Sequence, residues 1–261
     1  MQKKQESVAN MNNKESIEKT KQGFETSFST CAYYDKQTKD ENHLESILHF
    51  LHVKPGMKIL DLGTGTGYLA FPIAEKNKEV EVTGLDIVEK ALEENRKKAE
   101  SKKIHNLRFV SYDGMKFPFD DNCFDMVVSR YALHHFPAIQ DTFHEINRVL
   151  KKDGLFFLSD PAPNDNDTEH FVDAYMQMKK DGHIKFYTKA EWKNMAKIES
   201  MEFVDGFETS IRFPRKKETS LEFDDIIRRY DENVIKGYEV EVIDNEIWIT
   251  ERVSNLMFKK C

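Results

Sequence analysis

Three glycines at alternate positions, Gly63, Gly65 and Gly67, follow the apolar run Lys58-Ile59-Leu60-Asp61-Leu62, and the helix-like run Tyr68 to Ala74 comes next. Strand, tight turn and helix in that order make a ligand-gripping bend. Glycine tolerates positive φ there and lets a ligand lie on the main chain with no Cβ between. The flanking residues say which ligand. A pyrophosphate-binding fingerprint needs a third glycine where this chain has Tyr68. Asp61, at the lip of the bend, would repel a pyrophosphate and attract a cation. A second acid, Asp86, ends the next apolar run (Val80, Val82, Leu85), the place where a ribose diol is held by two hydrogen bonds. Together these residues describe a nucleoside with a cationic tail and no phosphate.

That combination resembles the class I S-adenosylmethionine-dependent methyltransferases, and within them the branch of the ubiquinone/menaquinone-biosynthesis methyltransferases. Asp61, Gly63, Gly65 and Gly67 match the first family motif, and Gly84-Leu85-Asp86-Ile87 the second. The resemblance implies S-adenosyl-L-methionine as cofactor. It further implies that the turn, Thr64 included, holds the methionine part, that Asp86 holds the ribose, and that Ile87 covers a face of the adenine. Tyr112-Asp113-Gly114 resembles the position where an acid, here Asp113, accepts from the adenine amine beside the Gly114 backbone. The same residues also suit a plain turn, an acid before glycine.

The reacting side is expected at the carboxyl end of a fourth strand, Phe124 to Ser129, where open α/β sheets place reacting groups. Ser129-Arg130-Tyr131-Ala132-Leu133-His134-His135-Phe136 stands there. The resemblance implies that backbone near Ser129 meets the methionine part and that one histidine borders the site. Alternatively, His134 and His135 cap and pack the next helix. Asp160, before Pro161 at the same edge, either faces an acceptor or makes a turn. Methyl transfer from a sulfonium is an in-line displacement with an activated leaving group, so the protein mainly positions two reactants and excludes water. A base is needed only where the acceptor loses a proton early, and Tyr33, His134 and Asp160 are the candidates. The histidines do not fall at metal-ligand spacing with cysteines or acids, so no metal is expected.

The elements that must position these groups read as an α/β fold. Its form is a Rossmann-like doubly wound sheet with helices on both faces and small C-terminal decorations. The resemblance implies seven strands, mostly parallel with one antiparallel strand. A capping box at Thr38-Lys39-Asp40-Glu41 opens a helix to near Val53. Pro72 means that the helix after the glycines is kinked or starts late. Glu93 with Lys97 and Glu94 with Lys98 mark a solvated helix face between Val88 and Ser101. Asn106 to Tyr112 reads as a third strand, and Pro137 fits the first turn of a helix to Leu150. Leu155 to Asp160 reads as a fifth strand. Later come a capping box at Thr188 to Glu191, an alternating strand Phe203 to Phe213 and a closing strand Ile247 to Phe258. Residues 1–22 read as a flexible tail, 23–53 as an N-terminal lid and helix, 54–160 as the cofactor-binding core, and 161–261 as the rest of the sheet with substrate-side insertions. The aromatics Phe24, Phe28, Tyr33 and Tyr34 make 23–40 either a lid over the ligand or a segment packed on the domain.

With 261 residues, the chain suits one decorated domain. Net charge −7 argues against nucleic acid as partner and for a small-molecule acceptor. Three scattered cysteines suggest neither a disulfide framework nor a CxxC site. No signal peptide or membrane span is legible, so a soluble cytoplasmic protein is expected. Aromatic and methionine residues after residue 160 suit core packing; the resemblance implies that insertions there shape the acceptor site, which favours an apolar or aromatic acceptor, methylated at carbon, oxygen or nitrogen. Three rivals remain: a nicotinamide oxidoreductase, opposed by Tyr68 and Asp61; a non-catalytic cofactor-binding sensor or partner subunit; and an RNA methyltransferase using Arg215-Lys216-Lys217, otherwise a solvated turn. Oligomeric state is not legible.

Overall fold

The computed structural model describes residues 2–30, 41–217 and 220–261. Among the described residues, helices α1 (Gln2–Thr30) and α2 (Glu41–Phe50) precede the sheet. The chain then alternates β1 (Lys58–Leu62), α3 (Ala70–Lys76), β2 (Glu81–Asp86), α4 (Glu89–Ser101), β3 (Leu107–Ser111) and β4 (Phe124–Arg130). It continues through α5 (Ile139–Val149), β5 (Leu150–Ala162), α6 (Phe171–Gln177) and α7 (Lys189–Ile198). The last elements are β6 (Met201–Lys216), α8 (Phe223–Arg229), α9 (Glu232–Gly237), β7 (Glu241–Ile243) and β8 (Glu246–Lys260).

The strands β3-β2-β1-β4-β5-β8-β6 lie side by side in that order, with β7 paired to β8 off the path. β1 to β5 pair in parallel, whereas β8 runs against β5, β6 and β7. This is the expected doubly wound sheet with one reversed strand, plus an eighth, three-residue strand. The extra strand exists because Asp244 and Asn245 take φ of 48° and 64°, the tight-turn geometry that lets β7 fold back onto β8.

Apolar runs without alternation form the central strands because both faces are covered. Ile59, Val128 and Phe157 face one core, closed by Ile47, Ile73 and Leu92 from α2, α3 and α4. Their neighbours Leu60, Val127 and Phe156 face a second core under Phe143 and Trp192. A third core gathers α6, α8, β6 and β8 around Tyr175, Phe213, Ile226 and Val253.

Several expectations change. Within the expected tail of residues 1–22, residues 2–22 belong to α1, which continues past residue 23. Tertiary contact makes up for poor composition: a side chain on Gly114 would strike Ile17, and one on Gly182 would strike Thr20. Tyr33, Tyr34 and Thr38 lie outside the described residues. Pro72 is the third residue of α3, where its missing N–H has no partner to lose, so the helix begins late rather than kinking. Pro137 precedes α5 and its N-cap Ala138 instead of lying in the first turn. The capping box at Thr188 and Glu191 forms as expected. Among the described residues, no helix is long and apolar enough to cross a membrane.

Candidate active site

The glycine bend links β1 to α3 at the carboxyl edge of the sheet. Gly63, Gly65 and Gly67 have φ of 69°, 49° and 77°. Their reasons for being glycine differ. A Cβ on Gly63 would lie 2.4 Å from the Cβ of Ala132, and one on Gly67 2.5 Å from the Phe71 ring, so these two allow close packing. A Cβ on Gly65 would meet nothing within 4 Å. That glycine faces open space.

Asp86, at the end of β2, closes the bend. Its Oδ2 accepts from the Gly65 N–H at 2.8 Å and its Oδ1 from the Val88 N–H at 2.9 Å. Burial raises its pKa, and these backbone donors pull it back. The Gly65 carbonyl accepts from Asn95 Nδ2 at 2.7 Å, which fixes the peptide from its other side. Asp61 points inward rather than to the lip: it is 3% exposed and accepts from Thr64 Oγ1 at 2.7 Å and the Ala70 N–H at 3.2 Å. It therefore ties the bend to the first turn of α3. Burial raises its pKa to about 7.

A cavity opens in front of Gly65. Gly63, Asp86, Ile87, Tyr112 and Gly114 form its floor and one side. Ile17, Thr20 and Phe24 of α1 form its roof. Tyr131, Ala132, His135 and Phe136 form the remaining wall. Asp113 stays exposed beside it, with Oδ1 accepting from the N–H groups of Met115 and Lys116, the plain turn. Ser129 lies beneath: its hydroxyl donates to the Leu62 carbonyl at 2.9 Å and clamps β4 to β1.

Arg130 and Tyr131 follow on the reaction edge. The guanidinium sits 3.7 Å from the Tyr68 ring centre and 4.3 Å from that of Tyr131. Its Nε and Nη2 are buried without a hydrogen-bond partner, and its charge reaches Asp61. Tyr131 takes φ of 53°, a left-handed conformation costly for a bulky residue and often found at ligand-gripping turns.

The two histidines separate in role. His135 lines the cavity, with its ring 5.0 Å from that of Phe24 and its Nδ1 unpartnered. Burial lowers its pKa to about 3. His134 lies behind it, its Nδ1 2.5 Å from Asp160 Oδ1, while Asp160 Oδ2 accepts from the Leu133 N–H at 3.1 Å. Burial holds His134 well below the usual histidine range and lifts Asp160 to about 7. The pair braces the turn that presents His135.

The structure thus brings Gly63, Gly65, Asp86, Ile87 and Gly114 to one cavity and sets Asp61, Thr64, Gly67 and Ser129 just behind it. His134 and Asp160 form a separate buried pair, and Tyr33 lies outside the described residues. Sequence reading missed Asn95, assigned to a solvated face, and the orphaned Arg130. A single asparagine on the inner side of a charged helix was the available signal for the first.

The family described as "Methyltransferase domain" matches residues 53–200. The uncharacterized methyltransferase YcgJ of Bacillus subtilis is 30% identical over 185 residues, which cover 69% of this chain and 72% of that protein. Its crystal structure superposes with a TM-score of 0.72, at 23% identity over 84% of this chain and 98% of that one. A demethylmenaquinone methyltransferase of Listeria welshimeri is 29% identical, over 60% of this chain and 73% of that protein. The sterol 24-C-methyltransferase ERG6B of Gibberella zeae is 38% identical over 51% of this chain, which spans only 36% of that protein.

Proposed function

Because the chain belongs to the class I S-adenosylmethionine-dependent methyltransferases, we propose that it methylates a small, largely apolar or aromatic acceptor at the cavity wall formed by Tyr131 and His135. The observation that carries this reading is the cavity itself. It has one acid at one end, a bare glycine main chain on its floor, and mostly apolar and aromatic side chains elsewhere.

The residues present fit the cofactor. Gly65 leaves a cradle that a Cβ would fill. Asp86 spends one lone pair of each oxygen on the main chain and keeps the others for a ribose diol. Arg130 has orphaned N–H groups to offer the amino-acid carboxylate. Ile87 and Gly114 line the same cavity and would cover the adenine.

Bound S-adenosylmethionine supplies a methyl group on a positively charged sulfur, already activated for displacement. The chain's own task is placement. Gly63 to Gly67 fix the methionine end, Asp86 the ribose, and the Asp61–Thr64 pair keeps the bend in shape. Ile17, Thr20 and Phe24 of α1 act as a lid that keeps water from the reacting atoms. Proximity of this kind supplies ~7–11 kcal/mol of barrier reduction. His134 and Asp160 serve as positioning residues for His135, which meets the acceptor.

Related proteins named for quinone and sterol substrates favour a small apolar acceptor over RNA. Transfer of labelled methyl from the cofactor into a panel of quinols, phenols, amines and RNA tests the reading. Label in RNA alone, or in none of the panel, would overturn it.

A further inference from the structure

β8 enters the sheet at the carboxyl edge. Its last pair with β5 on that side is Arg252 opposite Ala162, and the next residue outward, Glu251, pairs only with Ile211 of β6. Glu251 is 1% exposed, yet neither carboxyl oxygen has a hydrogen-bond partner. The hydroxyls of Tyr131 and Tyr175 are buried and unpartnered as well, and the charge of Glu251 reaches both phenols. Tyr131 is the shared wall: it lines the cavity and also packs against the third core, to which Tyr175 belongs.

An unpartnered carboxyl in an apolar core lowers the stability of a fold, and a well-packed apolar residue in its place is often neutral or stabilising. Its presence therefore points to a ligand that completes its hydrogen bonds. Burial raises its pKa to about 8. At neutral pH the neutral acid dominates and can both donate and accept. Arg215 and Lys179 are the positive groups that face it, and they disfavour a second cation.

We propose that Glu251, with the hydroxyls of Tyr131 and Tyr175, forms the acceptor-recognition site and takes the neutral hydroxyl of an otherwise apolar ring compound. This deepens the acceptor reading above and rests on it. The three groups select the acceptor by requiring an O–H, because a bound molecule without one leaves them unpaired.

The test uses the full chain saturated with S-adenosylhomocysteine, with thymol and thymol methyl ether as probes that differ only in the hydroxyl. Wild-type protein should bind thymol about tenfold more tightly than the ether. Glu251→Leu should abolish that preference, leave S-adenosylhomocysteine affinity unchanged and melt no lower than wild type. Glu251→Gln should keep part of the preference, because its carbonyl still accepts. Equal binding of the two probes by wild type, or a preference that survives Glu251→Leu, overturns the proposal. So does a Glu251→Leu chain that fails to fold or melts lower, which would make the carboxyl structural. Failure of wild type to bind S-adenosylhomocysteine would instead overturn the cofactor site, with the acceptor site falling only as its dependent.

Discussion

The N–H of Gly65 donates to Asp86 Oδ2 at 2.8 Å, so the tip of β2 holds the middle of the glycine bend. One carboxylate both shapes the cradle and stands at its end. Asp86→Ala should weaken S-adenosylmethionine binding by ~1.5–3 kcal/mol, the usual worth of hydrogen bonds to a charged group. Titration calorimetry is the measurement, and unchanged affinity would remove Asp86 from the ribose.

The glycines should respond differently to a methyl group. Gly63→Ala drives a Cβ into Ala132 and should cost stability first, beyond the ~1–2 kcal/mol of a left-handed alanine. Gly65→Ala meets no protein atom and should cost about that backbone term alone, while cofactor affinity falls more than tenfold because the methyl stands in the cradle. Denaturant unfolding and calorimetry on both variants separate the two effects.

Asn95→Ala should loosen the bend from behind. Its amide donates to the Gly65 carbonyl at 2.7 Å, and its loss should cost ~1 kcal/mol of stability with a measurable drop in cofactor affinity. Stability lost without any change in affinity would make Asn95 a packing residue only.

His135 predicts a pH dependence. Burial holds it at about 3 in the folded chain, against ~6.5 when unfolded. Since the folded pKa is depressed, the unfolded chain takes the proton first as pH falls. Wild-type stability should then drop below pH ~6.5 by up to ~1.4 kcal/mol per pH unit from this group. His135→Phe lacks the term, so its stability relative to wild type should rise as pH is lowered from ~6.5 to ~4. Urea unfolding at several pH values gives the difference; a flat difference would mean that the ring titrates normally in the fold.

Cofactor linkage tests site and lid together. Ligand at a hundred times its dissociation constant should stabilise the fold by ~2.7 kcal/mol, and NAD should not. Amides of α1 around Ile17 to Phe24 should exchange more slowly with the ligand present. Equal exchange would count against the lid.

Much of this was legible in the sequence. Asp61, the three glycines and Asp86 declare their spacing locally, and strands buried on both faces announce themselves as apolar runs, as Leu155 to Leu158 do. What stayed hidden depends on contact at a distance. α1 looks polar, yet Ile17 meets Gly114, Thr20 meets Gly182 and Phe24 meets His135, all far along the chain. Glu251 is one acid in an alternating strand until the sheet buries it. The histidine pair could not be sorted by type alone, since the turn at Leu133–His135 decides which ring reaches the cavity.

The reversed direction of β8 has a practical use. The strand passes the reaction edge at Glu251 and ends at the opposite rim, where Lys260 Nζ donates to the carbonyls of Asn147 and Leu150. Cys261, exposed and free, follows it, whereas Cys123 is half-buried and its thiol pKa is raised by that burial. Of the two cysteines among the described residues, a maleimide dye or surface tether should therefore attach first at Cys261, on the side facing away from the cradle.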